Sequence, residues 1–112
     1  MIRKKVLELV VKERDRQDAL RRSGKIPWTA NNVDISDVKK LAVLAEEFGE
    51  VSRAVCEAMA VRDLVKEAPS TRPRQEDTDL LPHMKLDQLE EDLRNELVQV
   101  AAVCVAWLEG MS

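Results

Sequence analysis

Aromatic side chains are almost missing from this 112-residue chain, which has two Trp, one Phe and no Tyr. Glycine is just as scarce, at three residues. Both shortages argue against a β-sandwich or barrel, whose strands favour aromatics and whose turns need glycine. An excess of positive charge is missing too: 18 basic residues against 21 acidic ones leave a net charge of -3, so no broad basic groove is on offer to nucleic acid. The most apolar stretch, Leu97 to Leu108, has twelve residues, whereas about 20 are needed to span a bilayer. The opening MIRKKVLELVVKERDR is interrupted by Glu8 and Lys12 and so lacks the hydrophobic segment of a secretory leader. The sole histidine, His83, lies in Pro82-His83-Met84 with no nucleophile or acid arranged around it, and it is assigned no role. Two cysteines, Cys56 and Cys104, fall inside apolar helical patterns, which predicts reduced core thiols in a cytoplasmic protein rather than a disulfide framework.

What remains is helix. Pro27 interrupts the chain once, Pro69, Pro73 and Pro82 interrupt it again, and the proline-free blocks between them carry helical periodicity. The first block, about Ile2 to Arg22, places Ile2, Val6, Leu9, Val10 and Leu20 near one face. The second, about Ser36 to Lys66, places Leu41, Ala45, Phe48, Ser52, Val55 and Met59 on a stripe with 4-3-4-3-4 spacing, and Asp34 or Ser36 is suited to cap its start. The third begins near Asp87, where Asp87 and Glu90 have the form of a capping box, and ends at Gly110. The stretch of about 67–85, EAPSTRPRQEDTDLLPHMK, is expected to be a flexible loop because it has few apolar groups to offset the entropy of ordering. The chain therefore reads as a single all-α domain, residues 1–112.

In the third block, LVQVAAVCVAWL has Gln99 as its only polar side chain. A helix apolar all round must be covered all round, and three helices in one thin domain cannot do that. The expected architecture is thus a helical bundle completed by oligomerisation, as a homodimer or homotetramer, with Ala101, Ala102 and Ala106 permitting close approach.

Acids recur at helical spacing beside these apolar faces. In LAVLAEEFGEVSRAV, Glu46, Glu47 and Glu50 project within one sector of about 100°. Gly49 beside them is a poor helix former, explained most simply by a close approach to its backbone. On the third helix Glu96 and Gln99 form an i, i+3 pair where the polar first turns meet the apolar half. Two helices that each present oxygen donors one turn apart can converge on one ion. Oxygen donors with no His or Cys nearby suit a hard cation, Mg2+ or Mn2+, that keeps some waters and accepts phosphate oxygens. The competing reading is a solvated acidic face held by pairs such as Glu50 with Arg53.

The combination of LAEEFGEVSRAV with the later ELVQVAAVCVAWLEG resembles the MazG-like all-α nucleoside triphosphate pyrophosphohydrolases, whose pattern is EExxE on one helix and ExxD on the next. The early ERDRQDA also looks like the start of small members of that group. The resemblance implies a four-helix-bundle type of fold and an enzyme whose carboxylates hold Mg2+ on a nucleoside triphosphate while water cleaves it to a monophosphate and pyrophosphate. It implies Glu47, Glu50 and Glu96 as metal ligands, with Glu46 as an accessory catalytic carboxylate. Two features depart from the pattern. Gln99 stands where Asp is usual, supplying a carbonyl oxygen without charge, and 45 residues separate Glu50 from Glu96, more than is typical. Gln99 is either a neutral metal ligand or an amide bonded to a neighbouring helix, and a non-catalytic nucleotide-binding or interaction module is the alternative function.

Three further residues are candidates for substrate binding. Lys39 and Lys40 lie seven residues before Glu46 and Glu47, two turns along the same faces, where an ammonium can meet phosphate. Trp28, in the polar segment KIPWTANN, is suited to stack on a base or to plug the end of the bundle. Trp107 belongs to the apolar third helix and reads as core.

Overall fold

Helix α1 (Arg3–Arg22), α2 (Asp37–Glu67) and α3 (Glu76–Gly110) make up the regular structure of the computed structural model. It describes the backbone of residues 1–67 and 76–112 and the side chains of 1–64 and 85–112, and no strand occurs among them. Helix α3 is the shared partner: α1 packs on it and α2 packs on it more extensively, while among the described residues α1 and α2 do not pair with each other. The result is elongated, 61 × 28 × 26 Å. No helix among the described residues is long and apolar enough to cross a membrane.

Local chemistry explains the element ends. Helix α1 starts without a side-chain cap and closes at Ser23, whose N–H donates to the Ala19 carbonyl. Gly24 follows at φ +79°, the left-handed conformation that glycine adopts without a Cβ penalty. Ser36 is the N-cap of α2: its Oγ accepts the Lys39 N–H at 3.3 Å. Helix α3 begins at Glu76, eleven residues ahead of the expected start at Asp87. Residues 76–85, read from sequence as loop, are helical, and Pro82 lies within the helix. One proline removes one bond from the backbone ladder, and a helix long enough to be held elsewhere by packing tolerates that. The rest of the expected loop, residues 68–75, lies outside the described residues. Gly110 ends α3 without a positive φ. Its role is close approach rather than capping, because a Cβ there would sit 2.7 Å from the Asn31 carbonyl oxygen.

Two apolar clusters hold α2 against α3. Ala30, Val103 and Ala106 form one, flanked by Val43, Leu44 and Trp107. Ala58, Val61 and Leu89 form the other, flanked by Leu86. Helix α1 is tied down by Arg14, which is 4% exposed. Its Nε and Nη2 donate to the Glu109 carboxylate at 2.9 and 2.6 Å, and other guanidinium hydrogens reach Gln17 and Asp18.

Three expectations about burial are corrected. The stripe of Leu41, Phe48 and Met59 on α2 faces outward, at 56%, 63% and 54% exposure. The face that meets α3 is instead the Val51, Ala54, Ala58 and Val61 row, because two apolar rows share this helix and the larger side chains are on the one α3 does not reach. Ile2, just ahead of α1, and Val6 within it are exposed, and Val6 lines a small cleft between α1 and α3 with Leu9, Leu97 and Ala101. Both cysteines are free thiols, but Cys56 is exposed rather than in the core, belonging to the outward row of α2.

Candidate acidic site

The heptad spacing of α3 shows what is unusual about Glu96. Leu89 and Val103, one heptad before and one after it, are both buried core residues, so Glu96 occupies a position where the pattern calls for an apolar side chain. Glu47 does the same on α2, in the row that continues through Val51, Ala54 and Ala58. The helix pair therefore carries both acids into its own seam. Oxygens of Glu47, Glu50 and Glu96 all lie within 4.8 Å of one another.

That geometry has electrostatic consequences. The Glu47 carboxyl is raised from its ordinary 4.5 to about 7, first by burial, then by the charges of Glu50 and Glu96, by hydrogen bonding to Glu50 and by the charge of Glu46. Glu96 is raised as well, first by burial, then by hydrogen bonding to Glu50 and its charge, with Arg53 partly offsetting the effect and Asp92 adding to it. One oxygen of each, Glu47 Oε2 and Glu96 Oε2, is buried without a hydrogen-bond partner. Burying an oxygen that could be ionised with nothing to meet it is costly. A cluster whose close donors are all carboxylate oxygens is of the kind that could hold a hard divalent ion.

Beside the acids opens a cavity of about 340 Å3. Glu47, Gln99 and Trp28 all line it. Helix α1 contributes Glu13, Arg16 and Gln17, and the segment before α2 contributes Ile26, Pro27 and Thr29. Arg16 is held in a two-pronged pair with Glu13, at 2.7 and 2.6 Å, and the charge of Glu47 also reaches it.

The structure thus gathers Glu47, Glu50 and Glu96 into one cluster and sets Trp28 and Gln99 on the adjoining cavity. Gln99 is only partly buried and lines this cavity as well as a second one towards Arg94. Glu46 is exposed at the margin, outside the trio. Lys39 is exposed and Lys40 is buried, and neither lines the cavity. Among the described residues nothing lies within 4 Å of where a Cβ on Gly49 would sit, so the close approach expected there is not found. Sequence reasoning missed Glu13, Arg16 and Gln17. The signal was present, because i, i+3, i+4 spacing in ERDRQ puts all three on one side of α1.

Compared with known protein families, curated proteins and solved structures, the chain matches none.

Proposed function

We propose that this chain is a Mg2+- or Mn2+-dependent nucleoside triphosphate pyrophosphohydrolase, releasing a monophosphate and pyrophosphate, in line with its resemblance to the MazG-like group. The observation that carries the reading is the convergence of three carboxylates from two helices, two of their oxygens buried and unpartnered, beside a cavity that Glu47 lines together with Trp28. A divalent ion bound by Glu47, Glu50 and Glu96 would neutralise triphosphate charge and acidify a water. The Gln99 amide oxygen adds a neutral donor in that cavity. Trp28 offers its face to the base. Arg16, its guanidinium oriented by Glu13, directs its remaining N–H donors at phosphate oxygens, a role in which it takes precedence over Lys39 and Lys40. Glu46, at the margin, orients the attacking water or accepts its proton.

Assembly as a homodimer or homotetramer in the cytoplasm belongs to the same reading. It is supported by Leu97, Val105 and Leu108 of α3, which the chain leaves 52%, 38% and 63% exposed. The replacement of an acid by Gln99 and the exposure of Glu46 favour a second reading, a nucleotide-binding module without turnover.

Incubation with a panel of nucleoside triphosphates and Mg2+ or Mn2+, with pyrophosphate release as the readout, decides between them. Hydrolysis lost in the Glu47→Ala, Glu50→Ala double variant supports the enzyme. Saturable binding without release selects the second reading. Hydrolysis undiminished in the double variant overturns the assignment of those ligands.

A further inference from the structure

The half-buried Gln17 of α1 lines the cavity beside the acids, and its amide is held in one orientation. Arg14 donates to its Oε1 at 3.2 Å. A guanidinium has only donors to offer, so the end of the amide that faces it must be the carbonyl oxygen. Arg14 has little freedom to turn away, because its Nε and Nη2 are bonded to Glu109 at 2.9 and 2.6 Å and its side chain is 5% exposed. The Gln17 NH2 group is therefore left for the cavity, and among the described residues it makes no side-chain hydrogen bond. Much of the remaining lining is apolar, with Leu20, Ile26, Pro27, Val43 and Val103 joining Trp28. In a cavity of that kind the few polar groups choose the ligand. The Thr29 hydroxyl is already bonded to Asn31, which leaves Gln17 as the neutral donor on the α1 side.

We infer that Gln17 selects the base: its NH2 donates to a ring carbonyl oxygen on the edge away from the sugar, so the ligand carries a 6-oxopurine or 4-oxopyrimidine rather than the amino counterpart. This rests on the nucleotide reading and adds a substrate class to it. Placement favours that edge. The charge of Glu47 reaches Arg16, which keeps the phosphate end near the acids. Gln17 belongs instead to the network of Arg14 and Glu109, and Glu109 lies thirteen residues beyond Glu96 on α3, about 20 Å along the helix axis. A base stacked on Trp28, with its triphosphate at the acids, turns its far edge to Gln17. An amino group on that edge would set donor against donor and leave the Gln17 NH2 unmatched, weakening binding by about tenfold.

Calorimetric binding of paired nucleotides to the full chain with Mn2+ tests it. The pairs are inosine against adenosine and uridine against cytidine, all as α,β-methylene triphosphates, which resist cleavage at that bond. Within each pair the members differ at the edge in question, oxygen against amino. The oxo member is expected to bind about tenfold more tightly in whichever pair the cavity accepts. Gln17→Glu keeps the side-chain length and an acceptor for Arg14 but exchanges the donor for a second acceptor, so it should turn the preference towards the amino member. Its added charge weakens every triphosphate alike and cancels in the ratio. Gln17→Met should bring the ratio close to one. A side chain that only braces Arg14 would alter stability and leave the ratio unmoved. Equal binding within both pairs, preference for the amino member, or a ratio unchanged in both variants overturns the inference. Pyrophosphate release from the natural triphosphates is read separately: turnover without an oxo preference overturns this inference alone, and an oxo preference without turnover supports it while rejecting the catalytic reading. Failure of all four analogues to bind overturns both.

Discussion

Replacing Glu47 by Gln should stabilise the metal-free protein at alkaline pH, the reverse of what removing a half-buried side chain ordinarily does. In the folded chain Glu47 titrates at about 7 instead of 4.5 because it is partly buried and faces Glu50 and Glu96. Between those two values the folded protein holds a proton that the unfolded chain has released. Stability therefore falls as pH rises through that window and is lowest above pH 7. Each tenfold in proton affinity is worth about 1.4 kcal/mol, giving a ceiling of about 3 kcal/mol for the full displacement. Glu47 is only half-buried, so solvent screening reduces this to about 1–2 kcal/mol. The raised Glu96 acts in the same direction. For a chain of this size about 1 kcal/mol moves Tm by roughly 4 °C. Thermal unfolding followed by circular dichroism in a chelator, at fixed protein concentration, should show wild-type Tm dropping by several degrees from pH 5 to pH 8. Glu47→Gln should abolish most of that drop and melt above wild type at pH 8. Mn2+ should raise the wild-type Tm at pH 8 and leave the variant almost unmoved. A wild-type Tm that is flat across this range, or a Glu47→Gln variant less stable than wild type at pH 8 in chelator, would refute the claim that these acids repel one another in the seam.

The remaining predictions concern what surrounds that cluster. Arg14→Ala removes a nearly buried guanidinium bonded to Glu109, Asp18 and Gln17. The loss should be about 2–3 kcal/mol by urea titration, below the extreme for buried pairs because the half-exposed Glu109 regains water. Gly110→Ala drives a Cβ to 2.7 Å from a backbone oxygen of Asn31 and should cost about 1–3 kcal/mol in the same assay, although alanine is the better helix former. Gln99→Asp adds a fourth acid beside Glu47, so it should lower Tm in chelator at pH 8 and tighten Mn2+ binding measured by calorimetry. Unchanged Mn2+ affinity in that variant would remove position 99 from the metal-binding set.

Periodicity made the three helices legible to within a residue or two wherever apolar spacing was dense, as at both ends of α1 and α2. It failed at the start of α3, where proline and charge outweighed a backbone that is helical from Glu76. Spacing also revealed that Glu47 and Glu50 share a sector of α2. It could not reveal which of two apolar rows on α2 would meet α3, since each satisfies the same repeat. That choice is tertiary, made by Ala58, Val61 and Leu89 packing at one end and Val43, Leu44 and Val103 at the other. The cavity was the least legible feature. Its wall draws on α1, the segment before α2, and both longer helices, and side chains so far apart in sequence leave no joint pattern in any one segment.

Three carboxylates do not gather spontaneously, because each resists the ionisation of the others. Their meeting must be enforced by something stronger. In this chain the enforcement is visible as two apolar clusters that bracket the acids along the α2–α3 seam, with Ala58, Val61 and Leu89 on one side and Ala30, Val103 and Ala106 on the other. Ala58 and Ala106 are fully buried, so small side chains bring the helices close at both clamps, and the stretch between them has no freedom to swing the acids apart. An acidic residue that is merely soluble decoration would be found on the outward faces, where Glu57, Asp63 and Glu91 are. Glu47 and Glu96 instead displace core residues from their own heptad rows, at a standing cost to stability that packing on either side offsets. Such a defect, kept between two well-packed clamps, is the physical reason for placing the proposed metal site there.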